Sequence, residues 1–554
     1  MDTPATMPSQ SFEKDNRKGS EASLPLSAST TSPSPSMRET RRSSSDDDGE
    51  PDWPRTWRAY ACLLGCFFLM FNSWGLVNAY GTWSSYYVGH SLRNVDQLEL
   101  NLIGGSQCFL VLLLSNPVGR LLDAGYFRQV IGFGTVLTPL GLFILSAVHP
   151  SSVEAIVSFG PIWATQGLVV GLGMAPFFVS SSQVAATWFP KRRGLAVGYV
   201  ACGASIAGVI YPTMLRYLID AVGFNDAVRY VATLTSVTCI YSFIFATPNP
   251  KHESHKPESW SAIRTWFDTD AFKCKAWCWF TAAVAFMFFG FYPVFFNLEE
   301  WAAVRGFGTR NVSSIVSVPQ PTNGVSDKPL QTFWLLTIMN GASTIGRLTL
   351  ATFSDKTGAL NMHIASQFVC SLLTLILWSL AGSETDAIAF CVVFGVFSGM
   401  VIGLPPASVG NILNCTYTGE NAALAKKKLG HWTGMMYSFA AIPALLGPII
   451  AGHLVTVYSD YITVQMWAGT NLFLSFVCMV VARWYLPCAD GGSFAHHFTR
   501  KHASTREKLR LGSDATAAGM VNPTTFSQTP TRVQSTMPSS EKLDEPDQSP
   551  ERMV

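Results

Sequence analysis

The stretch TWFPKRRGLAVGYVACGASIAG, residues 187–208, decides how the whole chain is read. Two aromatics, Trp188 and Phe189, are stopped by Pro190; three cations follow, Lys191, Arg192 and Arg193, and then an apolar segment rich in small residues begins. Aromatic rings favour a membrane–water interface and cations favour its cytoplasmic side, so this order describes a short turn at the inner face with a new span starting at once. Along that span Gly198, Ala201, Ser205 and Gly208 recur at a spacing of three and four. They leave one helix face nearly bare, a surface that lets two helices approach closely in lipid.

Composition agrees with a membrane reading. Of 554 residues only 13% are charged and 48% are hydrophobic, whereas a soluble protein carries about a quarter charged residues. A net charge of +2 gives no electrostatic footprint for nucleic acid. Most of the 12 cysteines, Cys62, Cys66, Cys108, Cys202, Cys370 and Cys478 among them, sit inside apolar runs and read as small buried hydrophobes. No paired metal-ligand spacing, nucleophile elbow or phosphate loop occurs, so neither a cofactor nor a metal is expected and an enzyme is the weakest reading.

Residues 1–55 are rich in Ser, Pro, Thr and charge with no apolar run, and are expected to form a disordered cytosolic tail. Its Arg41, Arg42 and Ser43 to Ser45 resemble kinase-accessible sequence. Twelve apolar stretches follow, each long enough to cross a core of ~30 Å. Six lie in residues 56–247, a polar cytosolic loop occupies 248–275, and six more lie in 276–486, before a second polar tail over 487–554. Arg128, Lys191 to Arg193, Lys356 and Lys426 to Lys428 all fall in links on one side, which puts both termini in the cytosol. Asn311-Val312-Ser313, in the longest outer link, is then a glycosylation sequon on the accessible side.

The halves repeat a pattern. Gly119-Arg120-Leu121-Leu122-Asp123-Ala124-Gly125 ends the second span, and Ala351-Thr352-Phe353-Ser354-Asp355-Lys356-Thr357-Gly358 ends the eighth. Each has a small residue four before an Asp and a Gly shortly after, as a duplication of six spans requires. Six-plus-six repeats with a substrate site between the halves are a transporter architecture.

Gly119, Leu121, Asp123, Gly125 and Arg128 resemble the inter-span signature of the major facilitator superfamily, one residue short between Asp and Gly. Phe189, Lys191, Arg192, Leu195, Ala196, Gly198, Ala201 and Gly203 resemble the fifth-span signature of the monocarboxylate transporter family. FNSWGLVNAYG at 71–81, LPPASVGNIL and GMMYSFAAIPALLGPIIAG resemble its fungal branch. The resemblance covers roughly residues 50–487 and implies a twelve-helix secondary transporter. The chain departs from it at three places: Asp52 is followed by Trp53 and Pro54 rather than glycines, the Asp one turn before the eighth-span Arg is Ser343, and the first-span Lys is Asn78. Proton and lactate symport is therefore not carried over intact, although protons remain the candidate coupling ion.

Arg347 is the sharpest candidate for substrate contact. About eight residues of helix at ~1.5 Å each separate it from the inner end near Asp355, placing it ~12 Å into the membrane. A cation at that depth costs about 3 kcal/mol on insertion scales and must face a bundle interior or a cavity, where a guanidinium offers a carboxylate two prongs. Asn72, Asn78 and Tyr80 on the first span, Tyr211 on the fifth and Ser343 on the eighth are further candidate substrate-binding residues. Phe291, Tyr292 and Phe295 read as packing or an interfacial belt. Asp123, Arg128, Asp355, Lys356, Lys191, Arg192 and Arg193 lie too near the inner face for a midplane substrate and are candidate gating groups, although for Lys191 to Arg193 and for Lys426 to Lys428 topology alone is the slightly favoured role.

The expectation is an all-α, multi-pass membrane carrier for a small organic acid, working by alternating access, in the plasma membrane rather than an internal one. Two rivals stand beside it: an exporter or importer of a larger metabolite, and a non-transporting nutrient sensor.

Overall fold

The computed structural model describes residues 54–486 except 55, 93, 149–157, 190–192, 251–255, 258, 310–329 and 419–421. Both tails, Asn311, Lys191 and Arg192 lie outside the described residues, as do the side chains of Arg193, Asp355, Lys356 and Lys426.

In hydrocarbon every backbone N–H and C=O must find a partner within the protein, and a helix satisfies them within one segment. The described residues are accordingly 87% helical, with no strand among them. Twelve long helices follow the twelve apolar stretches. In the first half they are α1 (Trp57–Ser91), α2 (Gln97–Asp123), α3 (Phe127–Val148), α4 (Phe159–Trp188), α5 (Arg193–Val222) and α6 (Phe224–Phe245). In the second they are α7 (Lys275–Val304), α8 (Phe333–Thr357), α9 (Ala359–Trp378), α10 (Glu384–Gly403, continued as Pro405–Thr416), α11 (Ala422–Tyr458) and α12 (Ile462–Trp484). Eleven have described segments long and apolar enough to cross a membrane, and α8, with 25 residues, occupies the place of the remaining expected span.

Helix α1 runs to Ser91, about nine residues beyond the apolar stretch read from the sequence as its span, residues 58–82. Its extension stays helical because Tyr86 and Tyr87 remain buried; Tyr86 stacks on Phe224 at the start of α6, with ring centroids 4.6 Å apart. At the other ends of the second spans, the duplicated motif has a backbone reason. Gly125, between α2 and α3, has φ +92°, and Gly358, between α8 and α9, has φ +85°. Both turns use the left-handed region that glycine enters without strain.

The halves meet mainly where α2 packs on α11 and α5 on α8. The small-residue face of α5 makes the second contact possible. A Cβ on Gly208 would stand 2.4 Å from Asn340 Cγ, and Ser205 Oγ donates to Ser343 Oγ at 3.2 Å across the same seam. Toward the end that the cation pattern assigns to the outside, Asn101 Nδ2 donates to the Pro448 carbonyl at 2.9 Å; toward the end it assigns to the cytosol, called the inner end below, Ser438 Oγ donates to the Leu113 carbonyl at 2.8 Å. These contacts lie on either side of the middle of the bundle, where a cavity remains.

Candidate substrate site

A cavity lies between the halves. Trp74 and Asn78 reach it from α1, Phe178 from α4, Phe288 and Tyr292 from α7, Arg347 from α8 and Tyr437 from α11. Trp74 stacks on Tyr292 with centroids 5.5 Å apart and planes 11° from parallel, and Tyr292 stacks on Phe288 at 6.0 Å and 14°. Phe178 closes the other side, edge-on to Trp74 at 5.3 Å and to Tyr437 at 5.0 Å. The cavity wall is thus a set of aromatic faces and edges drawn from both halves, with one cation.

That cation is Arg347. It is buried, its Nη1 donates to the Ala201 carbonyl on α5, and its Nε has no hydrogen-bond partner. A buried guanidinium N–H left unpaired costs ~1–3 kcal/mol, so the site favours an occupant that supplies an acceptor. Asn78 also lines the cavity, its Nδ2 pointing at the Ala204 carbonyl at 3.5 Å.

The other residues singled out by sequence whose side chains are described do not line the cavity. Asn72 and Tyr211 belong to a knot inside the first half: Tyr211 Oη donates to Asn72 Oδ1 at 2.8 Å, and Asn72 Nδ2 donates to Thr238 Oγ1 at 2.8 Å. Tyr80 donates to the Leu100 carbonyl and packs against Phe296. Ser343 sits in the α5–α8 seam. Asp123 pairs with Arg120 on its own helix at 3.3 Å, and Arg128 is exposed. Of the three aromatics on α7, Tyr292 faces the cavity, while Phe291 and Phe295 stack on each other at 5.1 Å.

A second constellation lies at the inner end. Lys428, on the first turns of α11, pairs with Asp268 at 2.8 Å and Asp270 at 2.7 Å, and sits 5.4 Å from the ring centroid of Tyr417. Both aspartates come from the central loop, which carries two short helical turns, Ile263–Trp266 and Thr269–Lys273. The loop is tied to both halves: the Trp266 carbonyl accepts from Asn116 Nδ2 of α2 at 2.7 Å and lies 3.0 Å from His431 Nε2 of α11. Burial pushes the Asp268 carboxyl up, but hydrogen bonds from Lys428 and Trp432 outweigh it and hold the group below the ordinary carboxylate value. Lys428 first and Lys273 second hold Asp270 at about 2. The sequence placed Lys428 in a cationic run without showing its partners, which lie 158 positions away in the case of Asp270.

Comparison with known proteins accords with this architecture. The chain is 26% identical over 429 residues to an MFS-type transporter of Gibberella zeae, covering 77% of this chain and 87% of that one. It is 26% identical over 476 residues to an aspyridones efflux protein of Emericella nidulans, covering 83% and 87%. Among solved structures it resembles the nucleoside transporter NupG, with a TM-score of 0.54 and 15% identity, over 76% of this chain and 99% of the other. The model of the Major Facilitator Superfamily matches residues 62–422. With that match spanning most of the chain and the twelve-helix, two-half architecture in place, the protein belongs to the Major Facilitator Superfamily.

Proposed function

We propose that this chain is an alternating-access carrier that exports an organic anion bearing a planar ring, across the plasma membrane. The carrying observation is the pairing, in one cavity, of a single buried guanidinium having an unpartnered Nε with stacked faces from Trp74, Phe288 and Tyr292. The guanidinium matches a carboxylate or enolate oxygen; the ring faces match a flat apolar body, each stacked aromatic contact contributing about 1 kcal/mol beyond its buried area. Export is supported by the relative that is an aspyridones efflux protein.

The second reading is transport of a small monocarboxylate. It is favoured by Arg347 and by the fifth-span resemblance, but it leaves the aromatic wall without a task. Glycosylation at Asn311 and gating by Asp123, Arg128, Asp355, Lys356 and Lys191 to Arg193 remain parts of the proposal.

Uptake and release of labelled lactate, phenylpyruvate and a fused-ring carboxylate, compared in cells with and without the protein, separate the readings. Flux of the ring-bearing compounds that Trp74→Ala lowers about tenfold, as expected for about 1.4 kcal/mol of lost stacking, supports the first. Flux of lactate alone, unchanged in Trp74→Ala, establishes the second. No protein-dependent flux of any of the three would sink both and leave a sensor role.

A further inference from the structure

Two tyrosines at the cavity carry a group that ring stacking does not explain. Tyr292 of α7 and Tyr437 of α11 are both buried, and both line the cavity. Among the described residues, neither phenolic hydroxyl has a hydrogen-bond partner. Tyrosines buried elsewhere in the bundle are satisfied within the protein: Tyr80 donates to the Leu100 carbonyl, Tyr87 to Gln166 Oε1 at 2.6 Å and Tyr211 to Asn72 Oδ1 at 2.8 Å. Of these five, the two left open are the two at the cavity.

The rings have no need of the oxygen. Tyr292 stacks on Trp74 and Phe288, and Tyr437 meets Phe178 edge-on. A phenylalanine makes such contacts equally well, and the same wall uses one at Phe178 and at Phe288. A hydroxyl taken out of water without a partner is costly, so at both positions the oxygen lowers stability unless an occupant of the cavity accepts from it. Tyr292 stands within electrostatic reach of both Arg347 and Tyr437. The two hydroxyls and the guanidinium therefore form one polar corner, and all three groups belong to the second half, on α7, α8 and α11. The first half brings Trp74, Phe178 and one polar group, Asn78, whose Nδ2 already points at the Ala204 carbonyl at 3.5 Å. A guanidinium only donates, and a phenol has one O–H to donate. Donors converging from three helices outnumber the two oxygens of one carboxylate, and a further oxygen on the adjacent carbon meets the remainder.

Resting on the carrier reading above, we infer that Tyr292 and Tyr437 determine cargo specificity: their hydroxyls donate to a second oxygen beside the carboxylate that Arg347 holds, so the cargo is a ring-bearing 2-oxo acid rather than a simple aryl acid. The second half grips the oxygenated head, and Trp74 and Phe178 of the first half cover the ring.

The test measures binding of two labelled compounds, phenylpyruvate and 3-phenylpropanoate, to the purified full-length protein. They share ring, chain length and carboxylate, and differ only in the 2-oxo oxygen. The unaltered protein is expected to bind phenylpyruvate about tenfold more tightly, because only that compound meets the buried donors. Tyr292→Phe and Tyr437→Phe, which keep the stacked rings, should each lower that ratio about threefold, and the double variant should bring it near one. Since each change removes an unpaired hydroxyl, the variants should melt no lower than the unaltered protein in detergent. A lower melting temperature would give the hydroxyls partners within the protein and overturn the inference. Equal affinity for the two compounds in the unaltered protein, a ratio that survives the double variant, or variants that weaken both compounds alike also overturn it, and leave the carrier reading standing. Failure of the unaltered protein to bind either compound refutes the ring-bearing anion as cargo, and the inference falls with it.

Discussion

Two cations, Arg347 in the cavity and Lys428 at the inner end, are both largely withdrawn from water, and they are solved in opposite ways. Lys428 is met by two carboxylates at 2.8 and 2.7 Å and by two aromatic rings. Arg347 is given one backbone carbonyl and no acid among the described residues, and its Nε is bare. A buried charge left without its counter-ion is costly. The difference teaches that the inner site is complete as it stands, whereas the cavity site is completed by something that arrives from outside the chain.

The sharpest way to break that comparison is to remove the unmatched charge. Arg347→Ala is expected to lower flux of the anionic cargo about 100-fold, the equivalent of one charge-assisted hydrogen bond of about 3 kcal/mol, with the protein still present in the membrane. Arg347→Lys keeps the charge but loses the planar fork, and should recover only part of the activity. Uptake of labelled phenylpyruvate, normalised to membrane-resident protein, is the measurement. Normal flux in Arg347→Ala would make Arg347 a structural cation like Lys428 and erase the distinction.

A smaller effect is expected at the matched cation. Asp268→Asn leaves Lys428 with Asp270, so the inner end is loosened rather than opened, and flux should fall about three- to tenfold by a less populated inner closure. Lys428→Ala should cost about as much, and the double variant little more, because the residues act through one contact. Additive losses in that cycle would show that the two residues work independently and that the loop is not a latch.

How far these sites were legible in the sequence follows from the same contrast. The turn at 187–208 could be read because it obeys two local rules, cations inside and small residues where helices touch, and Gly208 against Asn340 shows the second rule at work. Arg347 and Asn78 were legible because a polar group inside an apolar run must be explained wherever it points. The aromatic wall was not legible: Tyr292 lies in a run with Phe291 and Phe295, and nothing local tells the one that faces the cavity from the two that pack. Asn72 and Tyr211 show the converse. As polar residues in spans they qualified for the substrate site, but a partner on α6, Thr238, takes up Asn72 and through it Tyr211.

The smallest expected effect concerns pH at the inner latch, and its smallness is the point. The carboxyls of Asp268 and Asp270 are both depressed, Asp270 to about 2. Groups whose folded value lies below the unfolded one, about 3.9 for Asp, contribute stability that is fully present above the unfolded value and is lost as pH falls through the folded one. The window of loss thus runs from about pH 4 down to about 2. Between pH 5 and 8, the difference in melting temperature between the unaltered protein and Asp268→Asn, in detergent, should therefore stay constant. Salt should erode it only in part. Asp270 is 47% exposed and open to screening, whereas Asp268 and Lys428 are each 16% exposed and shielded from it. A latch that weakened between pH 8 and 5 would place pH sensing at the inner end and show that these carboxyls are not held charged across that range.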